Sequence, residues 1–109
     1  SKNIMITRVK NMTSAKGNKV ANQFIINTND EDGTREEIFQ SYKSTIVKVI
    51  TYYYGAKKII LDEYFWDYSV TTGKYRNEFL GEGIAETREK IKNGDYILED
   101  LNSFHKEDV

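Results

Sequence analysis

The chain of 109 residues predicts an α+β fold: an antiparallel sheet of about five strands, followed by two short C-terminal helices packed on it. Three observations carry that expectation. Up to residue 68 the sequence falls into short runs of Val, Ile, Thr, Tyr and Phe, side chains that suit a pleated surface. From the second run onward, turn residues separate these runs by intervals too short for a crossover, which favours antiparallel neighbours. After Ser69 the apolar spacing becomes that of a helix, and strands first with helices last is the order of a segregated sheet-and-helix domain. A single domain spans 1–109, with 1–3 and 104–109 expected to fray.

Residues 4–9 alternate Ile4, Ile6, Arg8 against Met5, Thr7, Val9 and read as the first strand. The polar stretch 11–19, with Gly17-Asn18, is a loop. Residues 20–28 (VANQFIINT) form the second strand, and 29–33 (NDEDG) turn it, because Asn and Asp tolerate left-handed geometry and Gly33 adopts positive φ without a Cβ clash. Residues 36–42 return as a third strand and Lys43-Ser44 make a tight connection. A fourth strand covers 45–53, Tyr54-Gly55-Ala56 turn it, and a fifth is expected over 57–68, bulged near Glu63 and Tyr64. Ser69 or Thr71 can cap a helix with its body at 74–80, where Tyr75 and Phe79 share a face and Gly81 ends the run. A second helix over 84–93 stops at Asn93-Gly94. Tyr96, Ile97, Leu98 and Leu101 then dock a short closing segment on the core.

Composition excludes several classes. With 39% apolar and 30% charged residues the chain is a globule, and no apolar stretch nears the roughly 20 residues that span a bilayer. There is no secretion-type apolar core at the start and no cysteine for disulfides or thiolate chemistry, which fits a reducing cytoplasm. The net charge of −1 conceals segregation: residues 1–20 carry +5, 30–37 carry −4, and 43–58 carry +4. Two basic segments brought together would make a basic face; kept apart, they are lysines that keep sheet edges soluble.

Chemistry-bearing patterns are sparse. Thr72-Gly73-Lys74 lacks the spacing of a phosphate loop, since Tyr68 stands where the first glycine belongs and Tyr75 where a hydroxyl residue should follow the lysine. Asp62, Glu63 and Asp67 lie close in sequence without a histidine partner, and salt bridges to Lys74 or Arg76 account for them better than acid–base work. His105 has no second ligand at metal spacing. No catalytic residue, metal site or cofactor is therefore assigned.

The aromatic residues say more. Nine of the fourteen lie between Tyr52 and Phe79, with Trp66 among them. On an extended strand Tyr64 and Trp66 would face one side and Phe65 and Asp67 the other, so one aromatic face would remain outside the core. Tyr64, Trp66, Tyr68 and Tyr75, rimmed by Lys74 and Arg76, are the candidate partner-binding residues, because Tyr, Trp and Arg are the favoured anchors of protein interfaces. The alternative is a single-stranded nucleic acid stacked on the same rings, its phosphates met by Lys57, Lys58, Lys74 and Arg76. A net charge near zero favours the protein partner.

The stretches 20–24 (VANQF), 39–42 (FQSY), 66–69 (WDYS), 71–72 (TT), 74–77 (KYRN), 79–81 (FLG) and 94–98 (GDYIL) with 100–102 (DLN) resemble an uncharacterised small domain of phages and mobile elements in low-GC Gram-positive bacteria. The likeness covers about residues 18–102 and is most specific over 66–81. It implies a context: small phage proteins of this kind act as accessory factors that bind and disable a host defence protein, a CRISPR nuclease among them, as anti-CRISPR proteins do. The family pattern assigns no activity and so transfers no site residues.

Overall fold

The computed structural model describes residues 5–103. In chain order these form β1 (Met5–Thr13), β2 (Lys19–Asp30), β3 (Arg35–Ser41), β4 (Ser44–Thr51), β5 (Lys57–Asp62), α1 (Val70–Leu80), α2 (Ile84–Asn93) and β6 (Ile97–Glu99). The fraying expected at 1–3 and 104–109, and His105, lie outside the described residues. The strands make one six-stranded sheet in sequence order, antiparallel from β1 to β5 and parallel between β5 and β6. Six strands replace the expected five. The closing segment is itself a strand, and α1 and α2 supply the crossover that parallel pairing requires.

The core follows from register. Lys10, Ile25, Phe39, Val47 and Leu61 stand opposite one another across β1 to β5. Phe39, Val47 and Leu61 in this row are fully buried. Tyr75 and Phe79 of α1 and Ile91 of α2 pack onto that face, and the Phe79 ring stacks on Phe39 at 5.8 Å between centroids. A register shift beyond Phe39 inserts Ile46 as an extra residue of β4, so Ile46 and Val47 are both buried although neighbours on a regular strand point apart.

Strand β1 runs to Thr13, past its expected end at Val9, so residues 11–13, expected as loop, pair with β2. Two other boundaries differ from expectation for local polar reasons. The fifth strand ends at Asp62 because the Asp62 carboxylate accepts the backbone N–H of Tyr64 (3.0 Å) and Phe65 (2.7 Å), and the Asp62 carbonyl accepts that of Trp66 (3.0 Å). A side chain bonded to nearby amides stabilises a turn at the expense of the ladder. Helix α1 begins at Val70, four residues earlier than the expected body, because the Ser69 hydroxyl accepts the Thr72 N–H and caps it. Gly81, at φ 72°, ends it by donating to the Asn77 carbonyl.

Candidate functional site

The end of the sheet that carries α1 opens into a cleft of about 600 Å³. Phe24 and Ile46 come from the sheet, Tyr42 and Lys43 from the β3–β4 turn, and Phe65 and Tyr68 from the turn after β5. Ser41, Ser69 and Thr72 add hydroxyls. Ser69 donates to Thr72 Oγ1 at 3.1 Å, and the Thr72 and Ser41 hydroxyls are bonded at 3.0 Å. Two further lining residues hold left-handed backbone: Asn22 at φ 65° and Tyr42 at φ 56°. They are bonded to each other, Tyr42 N–H to the Asn22 carbonyl at 2.7 Å. For Tyr42 this conformation carries a cost of about 1–3 kcal/mol, and such strain collects where chains bind something.

The turn at 63–68 is held from beneath. Arg76 is 1% exposed. Its Nη1 donates to the Trp66 carbonyl (2.8 Å) and to Asp67 (3.1 Å), its Nη2 to the Asn77 side chain (3.0 Å), and its guanidinium lies 5.3 Å from the centre of the Trp66 ring. Asp62, fully buried, adds a third backbone acceptor contact, to the Leu101 N–H at 2.7 Å. These contacts divide the sequence candidates. Tyr64 and Tyr68 stand 63% and 61% exposed, with Phe65 wedged against both. Trp66 and Tyr75 are half-buried and pack on the core. Lys74 is exposed, its ammonium 5.3 Å from the Tyr75 ring centre. Arg76 is scaffold rather than rim. The even alternation expected for 64–67 fails because the segment is a turn, not a strand.

The carboxylates are equally committed. Asp67 pairs with Arg76 and, at 3.6 Å, with Arg88. Thr72, of the motif compared with a phosphate loop, is buried with its hydroxyl bonded to Ser69 and Ser41. At the start of α2, Glu82 accepts from Thr87 (2.6 Å), Lys90 (2.7 Å) and Tyr96 (2.8 Å). Burial by itself would raise the Glu82 carboxyl, but the hydrogen bonds from Lys90, Thr87 and Tyr96 outweigh it and hold the group below its ordinary value. Burial, reinforced by donation to Glu82, pushes the Tyr96 phenol up to about 12. Lys90, bonded to Glu82 and Glu86, is held above the ordinary lysine range.

The basic segments meet away from the aromatic turn. Arg8 and Lys57, one from each segment, line a polar groove of about 420 Å³ together with Arg35, Asn27, Asn29 and Glu37. On the opposite face, Lys48 pairs with Glu36 and Lys58 with Glu99. No helix of the described residues is long and apolar enough to cross a membrane.

Phe24, Tyr42, Lys43 and the hydroxyl floor were not singled out as a site in the sequence. Their signal was indirect: 20–24 and 39–42 are two of the stretches that carried the resemblance, and they meet at this cleft. Residues 7–96 match the model of a family of unknown function, DUF8033, and the chain belongs to that family. Neither a curated protein nor a solved structure matches it.

Proposed function

We propose that the protein is a non-enzymatic binding module whose partner is another protein, held against the cleft and the tyrosines around it. One observation carries this reading: Tyr42, Tyr64 and Tyr68, 54%, 63% and 61% exposed, gather beside an apolar-walled cleft. Exposed tyrosine rings on a fixed frame offer large contact area with little ordering left to lose on binding. In the phage setting that the resemblance implies, the partner would be a host defence protein, a CRISPR nuclease among the candidates, and binding would inhibit it. The nucleic-acid alternative finds less support at this site. Arg76 is buried, Lys57 and Lys58 sit on the far end of β5, and Lys58 is paired with Glu99.

The test is affinity capture from lysate of a low-GC Gram-positive host by the wild-type protein and by a Tyr64→Ala/Tyr68→Ala variant with unchanged circular dichroism. A partner held by the first and lost from the second is expected. A partner held equally by both overturns the assignment of these residues. Salt-sensitive quenching of Trp66 by oligo(dT) would instead favour the nucleic-acid reading.

A further inference from the structure

The floor of the cleft carries unspent hydrogen-bonding capacity. Ser41, Thr72 and Ser69 own three hydroxyl protons, yet only two hydroxyl–hydroxyl bonds join them. Ser69 spends its proton on Thr72, so one is left on Ser41 or Thr72, according to which way their mutual bond points. Both residues line the cleft, and they are only 3% and 4% exposed. Behind the lining, opposite Ser41 on β2, Gln23 is fully buried with both atoms of its amide unpartnered. Buried polar groups in folded proteins nearly always have a partner, and leaving one without costs about 1–3 kcal/mol. Most of the remaining lining is aromatic and aliphatic, from Phe24, Ile46, Phe65, Tyr42 and Tyr68, with Asn22, Lys43 and Ser44 completing it.

A largely apolar cleft with buried hydroxyls in its lining suits a flat ring that bears a single hydrogen-bonding group at its tip. We propose that the cleft receives a tyrosine side chain presented by the partner protein, the ring between the aromatic walls and the phenol oxygen accepting the proton left on the Ser41–Thr72 pair. This deepens, and rests on, the reading of the protein as a protein-binding module. A ring without the hydroxyl would fill the same space and leave the floor unpaired. A site built around a substrate hydroxyl discriminates on that basis far better than on size. The left-handed backbone of Asn22 and Tyr42 fits the same role, because it fixes the lip through which the ring would enter.

The experiment is an NMR titration of the ¹⁵N-labelled protein with N-acetyl-tyrosinamide, N-acetyl-phenylalaninamide and p-cresol. Expected are saturable shifts at the amides of Asn22, Tyr42, Ser69 and Thr72, with the tyrosine compound bound roughly three- to tenfold more tightly than the phenylalanine one. That preference should vanish in a Ser41→Ala/Thr72→Val variant. If the variant does not fold, the comparison of the two amides on the wild-type protein decides alone. Equal affinity of the two amides, or no saturable shift at the cleft, overturns the proposal. Binding of p-cresol but not of the blocked tyrosine overturns the peptide-borne source. Tyrosine binding without any captured partner would remove the protein-partner reading and leave the subsite. Capture that depends on Tyr64 and Tyr68, without tyrosine binding, would do the reverse.

Discussion

At the helical end of the sheet, polar side chains are buried: Gln23, Ser41, Asp62, Thr72, Arg76, Thr87 and Asn102. At the other end, where Gly33 lies against Tyr53 and Arg35 faces Thr51, no described residue is buried. Each end displays tyrosines. Tyr64 and Tyr68 stand on a turn clamped by Asp62 and Arg76. Tyr52, Tyr53 and Tyr54 sit on a hairpin turn closed by bonds between Tyr52 and Ala56 and between Gly55 and Tyr52, and the rings pack on one another at 5.1 and 5.5 Å. The same residue type thus serves two structural situations. A clamped ring is presented in one position and loses little freedom on binding; a ring resting on its neighbours is held only by local contact. Aromatic density alone does not distinguish them.

The comparison breaks most directly at Arg76. Arg76→Met should cost about 2–4 kcal/mol in urea unfolding, since it strands the Trp66 carbonyl and the Asn77 side-chain oxygen. A cost below about 1 kcal/mol would mean that the turn at 63–68 is no better anchored than the tyrosine triplet.

Glu82 tests whether the polar network behind the helices behaves as a unit. Its carboxyl titrates lower in the folded chain than its ordinary value of 4.5. Its contribution is therefore complete above that value and disappears as pH falls through the lower, folded one. Lys90, held above 10.5, contributes below that value and loses its share as pH rises through its folded one. Glu82→Gln should remove about 1–3 kcal/mol at neutral pH and flatten the acid limb of the stability curve. An unchanged acid limb in thermal melts at pH 3–7 would show that other carboxylates govern it.

Gly73 sharpens the comparison from the opposite direction. A Cβ there would meet the Arg76 guanidinium at 3.7 Å, an ordinary contact, so Gly73→Ala should stabilise by about 0.5–1 kcal/mol through helix propensity. A loss instead would show that the clamp has no room to spare. Smallest of all, Tyr54→Ala at the far end should shift stability by no more than about 0.5 kcal/mol. A larger change in the urea midpoint would reveal more than neighbour packing there.

Much of the fold was legible because its signals are local. The turn at 29–33, the cap at Ser69 (one of two candidates, with Thr71), the glycine stops at 81 and 94 and the second helix at 84–93 are each written within a few residues. The end of β5 was misplaced by a residue whose effect is also local. Asp62 looked like a strand carboxylate among β-formers, but its side chain bonds the amides two and three residues on and terminates the strand. The sixth strand was hidden for another reason. Residues 97–99 lack a turn that would pair them with a neighbour, and only the packing of α1 and α2 returns them beside β5.

The candidate site divides in the same way. That the aromatic run would expose rings somewhere was readable from its density; which rings, and beside what, was not. Asn22, Tyr42 and Tyr68 are remote in sequence and meet only because β2, β3 and the turn after β5 converge at one end of the sheet. By itself, the sequence determined an α+β domain with strands before helices, through side-chain period, turn chemistry and caps, all of which act over a few residues. The tertiary structure alone decided that Arg76 is a buried clamp, that Tyr64 and Tyr68 stand outside, and that a hydroxyl-floored cleft opens between them and Tyr42. Burial, and the pairing of distant polar groups that burial demands, are properties of the assembled chain.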